Sequence, residues 1–531
     1  MDMQALATRI LLLWGLRRAG LAVLAGAIGA LALPPFDIFA SMFISFTLLV
    51  WLLDGATGNA ETGRAGLSSS FWTGWLFGLG YFVCGLWWLG NALLLEADEF
   101  AWAIPLAVLG LPAVLAIFYG LATMLARLVW SDGMGRIAAL AAAFGLAEWL
   151  RSFVATGFPW NAIGYAAMPV PLMMQSSHVL GVLAITPLAV FVFAAPALLG
   201  TRRGAWPGLL LAATLLCAHL GYGAYRLYVA PVAATDQTLT VRLVQPSIDQ
   251  SQKMENTDRI GIFEKHLALT AAPPEEGKPR PDVIVWPETS IPFILTENPD
   301  ALARIGDVLE DGQILLTGAV RAEERGAGQM PLYYNSVYMI DDKGQILAAS
   351  DKVHLTPFGE YVPYEGLLRE FGIEELISLP GGFTAASSRT PLKLPSGLGL
   401  YPLICYEAIF PAEIAPDLAG ASVILNVTND AWFGATPGPY QHFLQARLRA
   451  VETGVPLIRV ANNGISAVID PYGRVIEGLS LDAVGAADAT FGATSVPEGN
   501  TYNHNLNLWL VLAALSLVAL VSSLGFIRRT N

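Results

Sequence analysis

The chain has 531 residues, 54% of them hydrophobic and only 14% charged, with a formal charge of −13 at neutral pH. Soluble globular chains carry about 25% charged residues, so this composition excludes an ordinary soluble protein and indicates a membrane protein with room for more than one domain. The acidic excess is confined to residues 236–503, with 18 basic and 34 acidic side chains, which argues against nucleic acid as a partner.

In chain order, apolar runs long enough to span a bilayer fall near 10–33, 36–53, 70–95, 101–127, 136–153, 177–199, 206–228 and 506–527. That predicts a membrane domain over 1–235 with about seven helices, a polar domain over 236–503, and a last transmembrane helix in 504–531. The first run places Arg17 and Arg18 before "LAVLAGAIGALA", a pattern shared with signal peptides; an uncleaved anchor is the expectation. With a cytoplasmic N-terminus, Arg9, Arg17, Arg18, Arg64, Arg127, Arg136, Arg202, Arg203, Arg528 and Arg529 all fall inside, leaving little beyond Arg151 outside. The polar domain then lies outside the cytoplasm, which in a bacterium means the periplasmic face of the inner membrane.

Within the polar domain, short β-rich runs alternate with amphipathic stretches. Strands are predicted at 239–245, 282–288, 314–320, 335–341, 399–407, 422–430, 456–463 and 465–471, with a further one in "GQILAASDK". Helices are predicted at 258–271, 299–309 and 440–453, and "TAAPPEEGKPRPD" (270–282) reads as a surface loop. Strands separated by helices give an α/β domain with layered sheets. No repeat of fixed period is visible.

Functional groups gather at strand ends, where α/β sheets place their sites. Glu288 ends "VIVWPE", Cys405 ends "LYPLIC", Asn429 and Asp430 end "VILNVTND", and Lys352 follows "GQILAASD". Cys84 and Cys217 lie in apolar runs, where cysteine is a small packing residue. Cys405 is the one cysteine of the polar domain and has no disulfide partner there. A thiol needs a base or a positive field to react. Glu288 can take its proton, and Lys352 can hold the charge that develops on an attacked carbonyl. His354 and His442 stay open as alternative bases. The scattered His and Cys form no metal motif.

Plainer readings stand beside these. Arg151 and Glu148 are one helical turn apart and can be a salt bridge alone. Trp160 can be an interfacial aromatic. Asn429 and Asp430 read as turn formers.

The segments "VIVWPETSIP", "DKVHLTPFGEYVP", "LICYEAIFP" and "NVTNDAWFG" resemble the Glu, Lys and Cys segments of the nitrilase superfamily, and more closely those of the bacterial apolipoprotein N-acyltransferase family. "EWLRSFVATGFPWNAIGY" (148–165) and the eight-span layout extend the resemblance over nearly the whole chain. The resemblance implies a multi-span α-helical bundle plus an extracytoplasmic nitrilase-like αββα sandwich. It implies Glu288 as base, Lys352 as its lysine and Cys405 as nucleophile, with Glu360, Tyr406 and Glu407 in support and Trp160 near the lipid substrate. One departure is "VQPSIDQSQKM": Pro246 and Met254 stand where the family has a Gly and a Trp. The implied reaction is a ping-pong transfer from a phospholipid, through a Cys405 thioester, to the α-amine of a diacylglyceryl-cysteine apolipoprotein. It completes lipoprotein maturation with no cofactor and no metal; the oligomeric state stays open, with a monomer as the default expectation. The alternatives are a membrane-bound nitrilase-type amidohydrolase, in which water resolves the thioester, and a transporter with a binding domain, disfavoured by the few ionisable residues in the spans.

Overall fold

The computed structural model describes residues 2–56, 66–95, 97–200, 204–230, 237–251, 258–274, 276–326, 328–366, 382–414, 418, 420–493 and 503–530. Arg64, Arg202, Arg203 and Met254, which entered the sequence reading, lie outside these residues. The chain divides into two compact units. One comprises Met1–Ala230, Thr436–Leu444 and Tyr502–Asn531; the other comprises Pro231–Ala435 and Gln445–Thr501.

The first unit is helical wherever the apolar runs fall. Among the described residues, five helices are long and apolar enough to cross a membrane: Leu67–Leu94, Ala101–Arg127, Ser177–Gly200, Ala205–Tyr228 and His504–Gly525. Ser41–Asp54 is shorter, Gly15–Ala30 follows a break after Leu11, and Met134–Arg151 carries Arg136, Glu148 and Arg151. Small residues let the helices approach. A Cβ on Gly74 would lie 2.0 Å from Thr123 Oγ1, and one on Gly80 2.0 Å from the Val23 carbonyl oxygen. The helix at 67–86 thus packs closely on two neighbours through opposite glycines.

Several buried ionisable groups in this unit are paired. Glu148 accepts from Tyr119 Oη at 2.6 Å and from Arg151 Nε at 3.0 Å. Arg151 also donates to the carbonyls of Phe158 and Trp160, the latter at 2.9 Å, and so ties down the 152–162 loop. The Glu148–Arg151 pair expected from one-turn spacing is present, and its extra bonds give it a loop-holding role. At the other end, Arg18 donates to the Leu52 carbonyl, Arg127 to that of Leu53, and Arg136 pairs with Asp54. Arg18 and Arg127 thus satisfy late carbonyls of the Ser41–Asp54 helix, Arg136 neutralises its terminal carboxylate, and all three oppose its dipole.

The second unit is built on two six-stranded sheets. The first contains β1 (Thr238–Gln245), β2 (Val283–Val285), β3 (Ile314–Glu323), β4 (Leu332–Asp341), β5 (Ile346–Asp351) and β12 (Gly485–Gly492), in the order β12-β1-β2-β3-β4-β5. The second contains β6 (Leu392–Lys393), β7 (Gly399–Ile404), β8 (Val423–Thr428), β9 (Leu457–Ala461), β10 (Ser466–Ile469) and β11 (Val475–Leu479), in the order β11-β10-β9-β8-β7-β6. Each sheet has three parallel strands, β1-β2-β3 or β7-β8-β9, flanked by antiparallel ones. The chain therefore uses one strand pattern twice, a duplication invisible at the level of sequence periods. Parallel neighbours require crossovers; helices Arg259–Thr270, Pro299–Val308 and Pro437–Thr453 supply three of them.

Side-chain alternation along the strands builds the layers. Leu239, Val241, Leu243, Val283, Val285, Leu316 and Val337 of the first sheet pack against Leu400, Val423, Leu425, Val427, Ile458 and Val460 of the second. The opposite face of the first sheet, with Val244, Ile284, Trp286 and Leu315, packs under Phe263, Leu267, Ala301 and Ile305 of two helices. This sheet-on-sheet core with helices outside is the nitrilase-like α/β architecture.

Three strands escaped the sequence reading: β6, β11 and β12. β12 reads "GAADATFG", poor in β-branched residues. Tertiary pairing overrides that preference, because Arg242 of β1 lies in register with Asp488 and forms a buried salt bridge of 2.7 Å.

Candidate active site

Cys405 follows β7 directly and opens a 3₁₀ turn, Cys405–Ile409. Its φ is +50°, a left-handed conformation that a side-chain-bearing residue rarely adopts. Thr289, beside Glu288, has φ +47°, and Phe358, two residues before Glu360, has φ +62°. Each such residue costs on the order of 1–3 kcal/mol, and such strain gathers at functional sites. At Cys405 it ends β7 abruptly.

Glu288 arrives from the end of β2. Its segment lies directly on β3, where a Cβ at Gly318 would meet Glu288 Cα and the Pro287 carbonyl oxygen at 2.6 Å. Only glycine permits that approach. Ser290 N–H donates to the Gly318 carbonyl at 2.9 Å and fixes the segment there. Lys352 leaves β5 with its N–H bonded to the Asn335 carbonyl at 2.8 Å. Its Nζ lies 2.8 Å from Glu360 Oε2 and 3.6 Å from Glu288 Oε1. Asn335 Nδ2 donates to both Glu288 Oε1 (2.8 Å) and Glu360 Oε1 (2.7 Å), locking the two carboxylates around one ammonium. Glu360 also accepts from the Thr356 N–H at 2.7 Å, so its own loop curls around it.

These groups share one electrostatic field with Cys405. Burial pushes the Glu288 carboxyl up, against the opposing pull of Lys352, with Glu360 adding to the rise; a hydrogen bond with Cys405 pulls it down. Burial pushes the Cys405 thiol up as well, Glu288 adds to that, and Lys352 opposes it. Burial alone would lower the Lys352 ammonium, but Glu360, Glu288 and Cys405 outweigh it and hold it well above its ordinary value. Cys405 as a residue is half-buried. The constellation is a neutral thiol at rest, a carboxyl group held above its ordinary pKa and so a stronger base than a free carboxylate, and a fixed positive charge beside them.

Glu407 is almost fully buried and clamps the site from behind. Its Oε2 accepts from the Ile404 N–H at 2.7 Å. Its Oε1 accepts from the N–H groups of Val353 (2.9 Å) and His354 (3.2 Å) and from Arg389 Nη2 (2.6 Å). One carboxylate thus joins the residues after Lys352 to the residue before Cys405. Tyr406 packs edge-on against Phe410 at 5.1 Å between ring centroids. His354, an alternative base in the sequence reading, stacks on Phe410 and pairs with Glu413 at 2.9 Å.

Trp160 belongs to the first unit and is only 2% exposed. Its indole N–H donates to Gln441 Oε1 at 3.0 Å, and its ring lies 5.1 Å from Trp88 and 5.2 Å from His442. His442, the other alternative base, is buried in this aromatic cluster. Sequence reasoning brought forward Glu288, Lys352, Cys405, Glu360 and Glu407, and they converge. It passed over Asn335, Thr356, Arg389 and Gln441. The available signal was a polar residue with no evident partner inside an apolar element, as with Asn335 in "NSVYMID". Pro246 follows β1, and Met254 lies outside the described residues. No group of three or more metal-ligating side chains occurs among the described residues.

A carbon-nitrogen hydrolase family model matches residues 240–494, and a model of the apolipoprotein N-acyltransferase N-terminal domain matches residues 25–195. Curated proteins called apolipoprotein N-acyltransferase from Agrobacterium fabrum (strain C58 / ATCC 33970) and Allorhizobium ampelinum (strain ATCC BAA-846 / DSM 112012 / S4) are 66% and 65% identical over 530 residues, covering the whole of both chains. Among solved structures, an amidase from Nesterenkonia sp. aligns over 51% of this chain and 94% of its own at 18% identity and a TM-score of 0.32. With full-length relatives at this identity, and family models matching in both halves, the chain belongs to the apolipoprotein N-acyltransferase family.

Proposed function

We propose that this protein moves an acyl chain from a phospholipid to the free α-amine of a diacylglyceryl-cysteine at the N-terminus of an apolipoprotein, with Glu288, Lys352 and Cys405 as its catalytic residues. The observation that carries the reading is the convergence of the Cys405 thiol, a carboxyl group with a raised pKa and a buried ammonium in a chain with full-length acyltransferase relatives.

In the first half-reaction, Glu288 takes the thiol proton as the sulfur attacks the ester carbonyl carbon. Lys352 stabilises the oxyanion. The carbon–oxygen bond breaks, the glycerol oxygen receives the proton from Glu288, and lysophospholipid leaves a thioester on Cys405. In the second, the acceptor amine, as its free base, attacks the thioester carbonyl. Glu288 takes a proton from nitrogen and returns one to the departing sulfur, leaving an amide and the original thiol. Ester to thioester to amide runs downhill at the end, so no nucleotide is consumed. Glu360, Asn335 and Glu407 position the three reacting groups, and Tyr406 packs behind the nucleophile. Residues 236–503 act at the periplasmic face of the bacterial inner membrane, and the helices of 1–235 and 504–531 anchor them there. Trp160, in the loop after the Met134–Arg151 helix, is assigned to the lipid substrate. The enzyme works as a monomer.

The test is to incubate the purified protein with phospholipid and a synthetic diacylglyceryl-cysteine peptide. The expected product is N-acylated peptide with one lysophospholipid per amide. Free fatty acid with unmodified peptide would instead assign a hydrolase.

A further inference from the structure

Next to Cys405, on β8 and β9, lies a buried polar chain that the mechanism above does not use. β7 and β8 run parallel with Ile404 paired to Val427, so the next position sets Thr428 beside Cys405. Thr428 is fully buried and its hydroxyl donates to Asp430 Oδ1 at 3.2 Å. Asp430 Oδ2 accepts from Arg459 Nη2 at 2.7 Å, and both side chains are 0% exposed. Arg459 also donates to Asn426 Oδ1 and to the Ile465 carbonyl, and Asn426 Nδ2 donates to the Leu403 carbonyl at 3.0 Å. Space for the Asp430 carboxylate is made at Gly464, where a Cβ would lie 2.2 Å from Oδ2.

A buried ion pair is a weak source of stability, because desolvation offsets its attraction. Its position next to the nucleophile calls for another account. A threonine hydroxyl has one proton to give. At rest that proton points to Asp430. Once the thiol proton has gone to Glu288, the sulfur is an anion and a much stronger acceptor. The hydroxyl can then turn to it, because Asp430 keeps Arg459 as its partner. Thr428 and Cys405 each follow the paired residues Val427 and Ile404 on neighbouring parallel strands, and against the upward push of burial the Thr428 hydroxyl draws the Cys405 thiol pKa down.

We propose that Thr428 is a further residue touching the reacting sulfur, donating a hydrogen bond to the Cys405 thiolate, and that Asp430 and Arg459 are positioning residues that hold the hydroxyl and carry the charge balance when it turns. This rests on Cys405 being the nucleophile. The titratable groups facing the sulfur are Glu288 after β2, Lys352 after β5 and Asp430 after β8, with Glu360 behind Lys352 and Arg459 behind Asp430.

The experiment uses the full chain in detergent and compares Thr428→Val, which keeps the shape and removes the hydroxyl, with Thr428→Ser. The rate of alkylation of Cys405 by iodoacetamide is followed against pH by mass of its peptide, so that Cys84 and Cys217 do not contribute. Acyl-adduct formation on Cys405 from phospholipid is measured in parallel. Thr428→Val is expected to move the alkylation midpoint up by roughly one pH unit and to slow adduct formation about tenfold or more, the scale of one hydrogen bond to a charged group. Thr428→Ser is expected to restore both. If Thr428→Val does not fold, Thr428→Ala takes its place with the same expectation. A Val or Ala profile superimposed on the parent's would overturn the proposal, since a merely structural threonine would leave the pH profile unmoved. A parent protein in which Cys405 is neither alkylated nor acylated would overturn the nucleophile assignment itself, and this proposal with it.

Discussion

Glu407→Gln is the substitution whose effect can be worked out most fully. The carboxylate accepts four hydrogen bonds, from Ile404, Val353, His354 and Arg389, and the side chains of Glu407 and Arg389 are 1% and 5% exposed. Glutamine keeps one acceptor oxygen and turns an NH₂ group toward donors. If its oxygen faces Val353, His354 and Arg389, the Ile404 N–H is left opposite a donor, at about 1–3 kcal/mol. The guanidinium also loses its counter-charge, and removing one member of a buried pair costs about 3–5 kcal/mol. Allowing for the oxygen that remains, a total of about 4 kcal/mol is expected, a large share of the 5–15 kcal/mol typical of a domain. Val353 follows Lys352 and Ile404 precedes Cys405, so relaxation there separates ammonium and thiol; a shift of about 1 Å costs on the order of 10²-fold in rate. The assay is thermal unfolding together with single-turnover acylation of Cys405, for Glu407→Gln, Arg389→Gln and the double variant. The double variant is expected to cost less than the sum of the singles, by about 2 kcal/mol, because each single strands the other partner. Strict additivity, or a Glu407→Gln protein within 1 kcal/mol of the parent and equally fast, would refute the clamp.

Other substitutions test separate links. Glu288 has a pKa raised by burial, so the fold holds its proton more tightly than the unfolded chain does. Its contribution to stability therefore declines as pH rises from the ordinary carboxylate value through the raised one. Glu288→Gln is expected to melt no lower than the parent at neutral pH while losing at least about 10²-fold in acylation rate; a lower melting temperature would contradict the sign. Parent acylation should fall off on the acid side above the usual carboxylate range, visible as the acid limb of a pH–rate profile. Gly318→Ala forces a Cβ against the Glu288 backbone; it should destabilise by about 1–3 kcal/mol and slow acylation. Unchanged acylation kinetics would show that the Glu288 segment does not depend on that approach. Arg242→Met strands Asp488 between β1 and β12 and should cost about 3–5 kcal/mol, read as a lower denaturation midpoint, with the alkylation rate of Cys405 in the folded protein unaltered.

What was legible in the sequence follows from how local each signal is. β1, β3, β7 and β8 were readable because apolar runs mark buried strands at their own positions, and β5 because a short apolar run leads into Lys352. Glu288, Lys352 and Cys405 were readable because each is a polar residue at the end of such a run. β12 was not, since "GAADATFG" becomes a strand only through pairing with β1, and the clue was a charge, Arg242, inside an apolar strand. The doubled strand pattern was hidden because it lives in connectivity. Asn335, Arg389 and Gln441 act through partners far along the chain, Gln441 bonding to Trp88 and Trp160, and no single segment announces such pairings. Trp160 stood out in its segment, but its burial under a glutamine did not.

The most direct test of the central claim is the mass of the intact protein after mixing with phospholipid in the absence of acceptor. One acyl group on Cys405, removed by neutral hydroxylamine and passed to an added diacylglyceryl-cysteine peptide as an amide, is the predicted result. A protein that N-acylates the peptide while never carrying an acyl group, and that keeps this activity as Cys405→Ala, would contradict it.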